Sequence, residues 1–435
     1  MISAKVFNRR RQDLMQLMGD GVAVISTSRE ATRNRDVLYR FRPDSDFYYL
    51  THFPEPHAIA VLSPGREQGE YVLFCRDRDP QREKWDGSRA GVSGAIEQYG
   101  ADDAFPIDDI GDILPGLLEN RKKVYCNVGI YPEFDVKLLN WVNEVKSKSQ
   151  AGVSAPHEIV DLGHVLHELR LIKQTEEITV MKRAARITAS AHRAAMRACR
   201  PGMMEYEVEA ELQYQFRLAG SDYPAYPPIV AGGRNACVLH YIDNAAPLQD
   251  GDMLLIDAGA EIDCYAADIT RTFPVNGKFT AAQRNVYSIV LDAQAAAIDK
   301  TRAGVPWNEP HDAAVKTIVE GLIDLKLMTG SVEEICESGG YKRFYMHRTG
   351  HWLGMDVHDV GDYKIDGQWR QLEPGMTLTV EPGIYIPDDD DIDPHFRNIG
   401  IRIEDDVLIQ RDGHMILTKD APKRIDDIEA LVGRS

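Results

Sequence analysis

The sequence predicts an α/β domain over residues 1–170, followed by an α+β domain over residues 171–435. Three observations support this division. The length of 435 residues exceeds one ordinary hydrophobic core and is typical of two. Short apolar runs alternate with helical stretches in the first part. Long amphipathic helices and strands that end in acidic residues occupy the second part.

The first domain contains short runs rich in valine and isoleucine, which predict buried strands. These runs are GVAVIST (21–27), AIAVLS (58–63), YVLFC (71–75) and KVYCNV (123–128). Helical patterns lie between them, at residues 110–118 and 134–145. The alternation indicates a mixed or parallel sheet that is covered by helices.

The second domain begins with a long helix after a boundary at residues 170–174. We expect Thr175 to cap this helix, because Glu176 and Glu177 then lie in its first turn, where acidic side chains are favourable. Further helices are expected at 205–219 and from 280, and strands at 252–257, 265–275, 376–381 and 399–409.

The composition restricts the possible functions. Acidic residues number 68 and basic residues 50, so the net charge of −18 leaves no basic surplus for a general nucleic-acid binder. No run of about 18 apolar residues is present, and we therefore expect no membrane-spanning helix. The N-terminus lacks the apolar segment of a secretory signal. The six cysteines lie far apart without a C-x-x-C pair, which favours reduced thiols in the cytoplasm.

Four acidic residues lie at or near the ends of apolar strands. Asp257 closes MLLID, and Glu381 closes MTLTVE. Asp268 precedes ITRTF, and Glu404 lies in GIRIED on the same strand face as Arg402. Three of the four acids have an ordinary alternative role: a turn residue for Asp257, an exposed edge position for Asp268, and a salt-bridged surface stripe for Glu404 with Arg402.

The four acids together favour a metal site. A buried lone glutamate is costly unless it is paired or bound to a metal. Like charges that are brought together require a counter-charge, and hard divalent ions prefer carboxylate oxygens. A pair of metal ions supplies that charge.

Histidines add a second type of ligand. MHRTGHWLGMDVHD places His347, His351 and His358 within twelve positions, and His240 in NACVLHY is a fourth candidate. A lone histidine is typically a structural residue, but three so close together are consistent with either a structural or a metal-binding role.

Five motifs resemble the dinuclear-metal "pita-bread" peptidases, a group that includes methionine aminopeptidase, prolidase and aminopeptidase P. They are LIDAG (255–259), ADITRTF (267–273), GHWLGMDVHD (350–359), LTVEPGIY (378–385) and IGIRIEDD (399–406). Three longer segments are similar to the aminopeptidase P branch: residues 39–56, 168–192 and 275–291. The resemblance implies an N-terminal domain like that of creatinase and prolidase, followed by a pita-bread catalytic domain.

The resemblance also implies two divalent metal ions in each chain, most typically Mn²⁺, with Zn²⁺ or Co²⁺ as alternatives. By this resemblance, Asp257 binds one ion, and Asp268 and Glu404 bridge both ions. His351 and Glu381 complete the shell of the other ion.

The implied activity is that of an Xaa-Pro aminopeptidase, which removes the N-terminal residue from peptides with proline at the second position. A hydroxide held between two metal ions attacks the carbonyl carbon. The resemblance implies that Glu381 shuttles the proton to the leaving nitrogen and that His240 and His358 contact the substrate. It also implies that Arg402 orients Glu404.

One position departs from the resemblance. His347 is expected to line the pocket for proline, and the next residue, Arg348, stands where the family carries small or apolar residues. A long cation there is expected to alter which residues are accepted after proline.

Two other functions compete with the aminopeptidase. A prolidase, restricted to Xaa-Pro dipeptides, needs the same metal ions. A pita-bread binding module would have lost its ligands, which disfavours it here. The resemblance further implies a homodimer or homotetramer in which the domain of residues 1–170 supports assembly and a residue such as Trp85 contributes to a neighbour's pocket.

Overall fold

The computed structural model describes residues 2–434 and divides into two compact units, with the boundary between Arg170 and Leu171. The first unit (residues 1–170) is an α/β structure, and the second unit (residues 171–435) is an α+β structure. The predicted fold class is therefore confirmed. None of the helices described over residues 2–434 combines the length and the hydrophobicity needed to cross a bilayer.

The first unit is built on one mixed sheet. Among the described residues its strands follow the spatial order Asp103–Pro106, Tyr71–Cys75, Ile59–Leu62, Val22–Ser26, Lys123–Cys126 and Glu158–Asp161. The sequence predicts the four central strands, which are almost wholly buried, but it misses the two edge strands. Each edge strand is largely exposed or half-buried, so its sequence lacks the apolar run that marks a buried strand.

Helices cover this sheet. Their bounds are Ala4–Met18, Ser45–Thr51, Glu83–Asp86, Gly91–Glu97, Ile110–Leu118, Pro132–Ser147 and Gly163–Leu171, with short 3₁₀ turns at Ile107–Asp109 and Ser149–Ala151. A small hairpin joins Thr32–Asn34 to Val37–Leu38. The helix predicted over residues 134–145 starts earlier, at Pro132, since a proline is well tolerated in the first helical turn.

The second unit contains longer helices. Their bounds are Thr175–Ala198, Glu205–Leu218, Ala281–Lys300, Glu309–Asp324, Val332–Ser338 and Ile425–Leu431, with 3₁₀ turns at Gly233–Cys237 and Gly340–Arg343. Thr175 is the first helical residue and not the cap, so that expectation was wrong. The cap is Gln174, whose backbone N–H donates to Glu177 Oε2 at 2.8 Å, and this bond satisfies a free donor at the helix start.

Antiparallel strands form the rest of the second unit. Met253–Asp257 lies between Ile229–Gly232 and Thr270–Pro274, and Asp405–Gln410 lies between Thr377–Val380 and Gly413–Ile416. Three hairpins complete the set: Gly383–Tyr385 with Gly400–Arg402, Glu261–Ile262 with Tyr265–Ala266, and Lys364–Ile365 with Gln368–Trp369.

Two strands that the sequence predicts as continuous are broken in the structure. The run 265–275 divides at Asp268, and the run 399–409 divides just before Asp405, so that Glu404 lies in the gap. At the second break the chain leaves its pairing with Gly383–Tyr385 and pairs with Thr377–Val380 instead. Asp268 and Glu404 therefore lie outside the regular alternation of side chains along a strand. The sequence pattern alone does not reveal these breaks.

Candidate metal centre

A cavity of about 580 Å³ in the second unit collects the residues that the sequence singles out. Its wall includes Asp257, Asp268, His351, Glu381, Glu404, His240, His347, His358 and Arg402. These residues span more than 160 positions of the chain, and the fold brings them to one place.

The strands position the acids. Asp257 is the last residue of its strand, and Glu381 directly follows Thr377–Val380. Hydrogen bonds cross-link the two strand breaks: Glu404 N donates to the carbonyl oxygen of Thr270 at 3.1 Å, and Asp268 N donates to Asp406 Oδ2 at 3.1 Å. The acids are therefore held by backbone bonds at the point where the strands meet.

A glycine lets His351 approach the strand that precedes Glu381. A Cβ atom at Gly350 would lie 2.0 Å from the carbonyl oxygen of Thr379, so no other residue fits without a shift of the backbone. The close approach allows His351 N to donate to Thr379 Oγ1 at 3.0 Å. The same hydroxyl lies 3.1 Å from Glu381 Oε1.

Three of the five expected metal ligands lie within one small sphere. Asp268, His351 and Glu404 each offer an atom within 4.8 Å of the others. His351 Nε2 lies 3.5 Å from Asp268 Oδ2 and 3.5 Å from Glu381 Oε1. Its Nδ1 lies 2.9 Å from the carbonyl oxygen of Trp352, which can only accept, so Nδ1 carries a proton and Nε2 faces the acids.

Asp257 lies on the same wall but is held by other partners. Tyr226 is a residue that the sequence does not single out, and its hydroxyl lies 2.6 Å from Asp257 Oδ1 and also contacts Asp268 Oδ1. Arg402 Nη2 donates to Asp257 Oδ2 at 2.6 Å. Asp257 and Asp268 are thus joined through one phenol.

Arg402 contacts Asp257 directly and Glu404 through one further side chain. The sequence places Arg402 beside Glu404, but its Nη2 pairs with Asp257, because the guanidinium extends across to the neighbouring strand. Glu404 Oε2 instead accepts from Thr270 Oγ1 at 2.6 Å, and Arg402 Nε donates to the same hydroxyl at 3.1 Å. Arg402 therefore reaches Glu404 only through Thr270.

The crowding of acids shifts their protonation. Burial, followed by the negative charges of Asp268 and Glu381, raises the pKa of Glu404 well above its usual range. Burial and the neighbouring aspartates raise the pKa of Glu381 to about 7, although His351 and Arg402 oppose this change. Burial lowers the pKa of His351, but Asp268 and Glu381 outweigh it and raise that pKa to about 9. The cluster thus carries more negative charge than its own cations neutralise.

This donor set fits divalent metal ions. Four carboxylates and one imidazole offer the oxygen and nitrogen ligands that Mn²⁺ and Zn²⁺ accept. A bound cation would replace the protons that the raised pKa values hold on the cluster.

His347 is linked to Arg402 through the hydroxyl of Tyr385. Its Nε2 lies 2.8 Å from the hydroxyl of Tyr385, to which Arg402 Nη1 donates at 2.9 Å. Since Arg402 can only donate, the tyrosine hydroxyl donates to His347 Nε2, and His347 Nδ1–H donates to the carbonyl oxygen of Arg348 at 2.7 Å. Burial and then the charge of Arg402 lower the pKa of His347 to about 3. His347 is therefore a neutral, fixed part of the wall.

The two remaining histidines are exposed on the cavity wall. The ring of His358 meets that of His351 edge to face, with the centroids 4.3 Å apart. Burial and the charge of His351 lower the pKa of His358. His240 lies on the same wall, so both imidazoles are accessible to a molecule in the cavity.

Sequence reasoning missed Tyr226, Tyr385 and Thr270. Tyr385 ends the motif LTVEPGIY, and Thr270 is part of ADITRTF, so strand alternation from Glu381 and Asp268 offers a signal for both. Tyr226 lies in the irregular segment SDYPAYPPIV, whose spacing gives no such signal.

The fold and this cluster define a class of metal-dependent hydrolases. The sequence model of metallopeptidase family M24 matches residues 179–411, and that of the aminopeptidase P N-terminal domain matches residues 7–125. The chain belongs to metallopeptidase family M24 and carries its pita-bread domain behind an aminopeptidase P N-terminal domain. The resemblance predicted from the motifs is confirmed.

Similar proteins cover nearly the whole chain. The Xaa-Pro aminopeptidase of Escherichia coli is 44% identical over 433 residues, which are 99% of this chain and 98% of the relative. The structure of a Pseudomonas aeruginosa aminopeptidase is 55% identical, with a TM-score of 0.98 over 99% of this chain and 98% of that chain. The zinc-substituted aminopeptidase P of E. coli in complex with product is 44% identical, with a TM-score of 0.96 over 99% and 98% of the two chains.

Proposed function

We propose that this protein removes the N-terminal residue from peptides whose second residue is proline. One observation carries the proposal: the wall of a single cavity contains the complete Asp–Asp–His–Glu–Glu set together with His240, His347, His358 and Arg402. Xaa-Pro aminopeptidases that are 43% and 44% identical over nearly the whole chain support the same substrate class.

We further propose that the cavity binds two divalent metal ions, with Mn²⁺ as the native ion and Zn²⁺ or Co²⁺ as substitutes. Asp257 would bind one ion, Asp268 and Glu404 would bridge, and His351 and Glu381 would bind the other. When bound, such ions acidify water and polarise a carbonyl group. The zinc-substituted relative supports a metal in this family, and the acids of this cavity are the hard ligands that such an ion requires.

The side chains of the cavity would transfer the proton, contact the substrate and position the metal ligands. Glu381 would take a proton from water and pass it to the leaving nitrogen, a role that a carboxylate within the cluster can fill. His240 and His358 would contact the carbonyl group and stabilise the negative charge that develops on its oxygen. His347 would line the pocket for the proline ring. Arg402 would hold Asp257 directly and orient Glu404 through Thr270.

The main competitor is a prolidase, which cleaves only dipeptides. Since both activities use the same cluster, the substrate must separate them. We expect cleavage of Ala-Pro-Pro and Ala-Pro-Ala by the metal-loaded protein. Cleavage of Ala-Pro alone would refute the aminopeptidase and support the prolidase. No cleavage of any of them with Mn²⁺, Zn²⁺ or Co²⁺ would favour an inactive binding module.

We also propose that the chain assembles as a homodimer or homotetramer through its first unit. The indole of Trp85 is 87% exposed, which is unusual for so large an apolar side chain and consistent with burial against another molecule. Sedimentation of the wild type and of Trp85→Ala tests this proposal, and a monomeric wild type would refute it. Six free cysteines are consistent with a cytoplasmic location, which we propose on that basis.

A further inference from the structure

Arg348 places a cation on the wall of the cavity without an acidic partner. Its side chain is exposed and lines the cavity. Within residues 2–434, no carboxylate pairs with it, and the charge is therefore free to attract an anion. By contrast, the exposed Arg343 is paired, because its Nη2 lies 2.6 Å from Asp391 Oδ1.

A second cation lies close to the first. The guanidinium carbon of Arg348 lies 4.9 Å from the centroid of the Trp369 ring, and Lys364 Nζ lies 4.3 Å from the same centroid. Lys364 is also exposed and, within the described part of the chain, has no carboxylate partner. The face of the indole ring attracts both cations.

Arg348 and Lys364 lie beside the same ring, and Arg348 lines the cavity. Two unpaired cations beside one half-buried indole thus form a local positive region at the cavity, which we call the Arg348 subsite (Arg348, Lys364 and Trp369). Arg348 also acts on a neighbouring histidine. Burial is the main reason why the pKa of His311 falls to about 4, and the positive charge of Arg348 lowers it further.

The Arg348 subsite lies next to the proposed binding position of the substrate proline. His347 Nδ1 lies 3.9 Å from Glu381 Oε2, and this pair is where the proline and the leaving nitrogen are proposed to lie. Arg348 is the next residue, and the bond from His347 to its carbonyl oxygen fixes the turn between them. His347 and Arg348 line the same cavity, so the Arg348 side chain is accessible to the part of a peptide that continues beyond proline.

We infer that the Arg348 subsite binds a carboxylate of the substrate downstream of proline. This inference rests on the proposed aminopeptidase function and adds a preference among its substrates. The carboxylate has two possible sources: the C-terminus of a short peptide, or an acidic side chain after proline. Arginine suits both sources, because its planar fork can donate two parallel hydrogen bonds to one carboxylate.

The test compares kcat/KM for four peptides: Ala-Pro-Glu-amide, Ala-Pro-Gln-amide, Ala-Pro-Ala and Ala-Pro-Ala-amide. For the wild type we expect a preference of about fivefold for the carboxylate member of at least one pair, the size of a favourable, partly exposed ion pair. The Glu/Gln pair reports an acidic side chain, and the acid/amide pair reports the C-terminus.

Variants link the preference to the subsite. Arg348→Met should remove the preference between the members of each pair, while Arg348→Lys should retain part of it. Lys419→Met, which removes an exposed cation that does not line the cavity, is the matched control and should behave as the wild type.

The outcomes separate this inference from the proposed function. Equal kcat/KM within both pairs for the wild type, or a preference that survives in Arg348→Met, would overturn the inference and leave the aminopeptidase intact. Failure of the metal-loaded wild type to cleave any of the four peptides would instead refute the proposed function.

Discussion

Lys173 Nζ donates to Asp359 Oδ2 at 2.7 Å, and both side chains are only 1% exposed. The pair holds the segment that follows His351, because Asp359 N also donates to the carbonyl oxygen of Trp352 at 2.9 Å. Gly354 packs against the same carboxylate, where a Cβ atom would lie 2.0 Å from Asp359 Oδ2. Since His358 immediately precedes Asp359, the ion pair helps to fix its position on the cavity wall.

Replacement of Lys173 with Met should destabilise the protein by about 3–5 kcal/mol, because it breaks a buried ion pair by removing one of its two charges. Asp359→Asn should have a comparable effect. Urea unfolding of both single variants and of the double variant measures the coupling. The loss of unfolding free energy in the double variant should be clearly smaller than the sum of the losses in the two single variants. Simple additivity of the two losses would contradict a direct interaction.

Replacement of Glu381 with Gln should lower kcat by about 10²-fold to 10⁴-fold, because the amide cannot accept and return a proton. The amide is nearly the same size as the carboxylate, so the circular dichroism spectrum and the unfolding midpoint should change little. Glu309→Gln, an acid in the first turn of the helix Glu309–Asp324, serves as the control. A Glu381 variant with full turnover would remove this residue from the proton transfer.

Replacement of Tyr226 with Phe should weaken metal binding by about 10-fold to 100-fold, the usual effect of removing a group that orients a metal ligand. The hydroxyl lies 2.6 Å from Asp257 Oδ1 and contacts Asp268, so its loss frees two expected ligands at once. Titration of the metal-free protein with Mn²⁺ measures the change. Tyr206→Phe, at an exposed position on the helix Glu205–Leu218, is the matched control. Unchanged affinity in Tyr226→Phe would contradict the predicted role.

The stability of the first unit should fall in acid through Asp46. Burial raises the pKa of this carboxyl, but Arg170 Nη1 at 2.7 Å and His167 Nε2 at 3.3 Å outweigh that effect and lower the pKa to about 2. Because the folded pKa lies below the unfolded value of about 4, this stabilisation is complete above about pH 4. It is lost as the pH falls towards 2 and amounts to about 2–3 kcal/mol.

Unfolding of the wild type and of Asp46→Asn between pH 5 and pH 2 tests this prediction. The stability of Asp46→Asn should depend less steeply on pH over that interval, whereas the exposed-site variant Asp36→Asn should follow the wild type. Parallel curves for the wild type and Asp46→Asn would contradict the predicted pKa.

The sequence predicts the positions of the acidic residues best where an apolar run corresponds to a buried strand. Asp257 and Glu381 end buried strands, and their positions follow from the apolar runs before them. Asp268 and Glu404 lie in predicted strands, but the structure breaks the strands there, since long-range bonds such as Glu404 N to the carbonyl oxygen of Thr270 decide the path of the chain.

Other contacts of the candidate site depend on the tertiary structure alone. Arg402 alternates with Glu404 along the strand, yet its partner is Asp257, which is 145 positions away in the sequence. Tyr226 lies in a loop without periodicity, and only the folded chain brings it between two aspartates. Periodicity predicts the face on which a side chain lies, but it does not predict which residue faces it across the cavity.

The most direct test is a titration of the chelator-treated protein with Mn²⁺, followed by both calorimetry and cleavage of Ala-Pro-Pro. We predict two ions bound per chain, with cleavage that is absent without metal and rises as the sites fill, and loss of both binding and cleavage in Asp268→Ala. Full hydrolysis in the presence of chelator, or no measurable binding of Mn²⁺, Zn²⁺ or Co²⁺, would contradict the proposed metal centre.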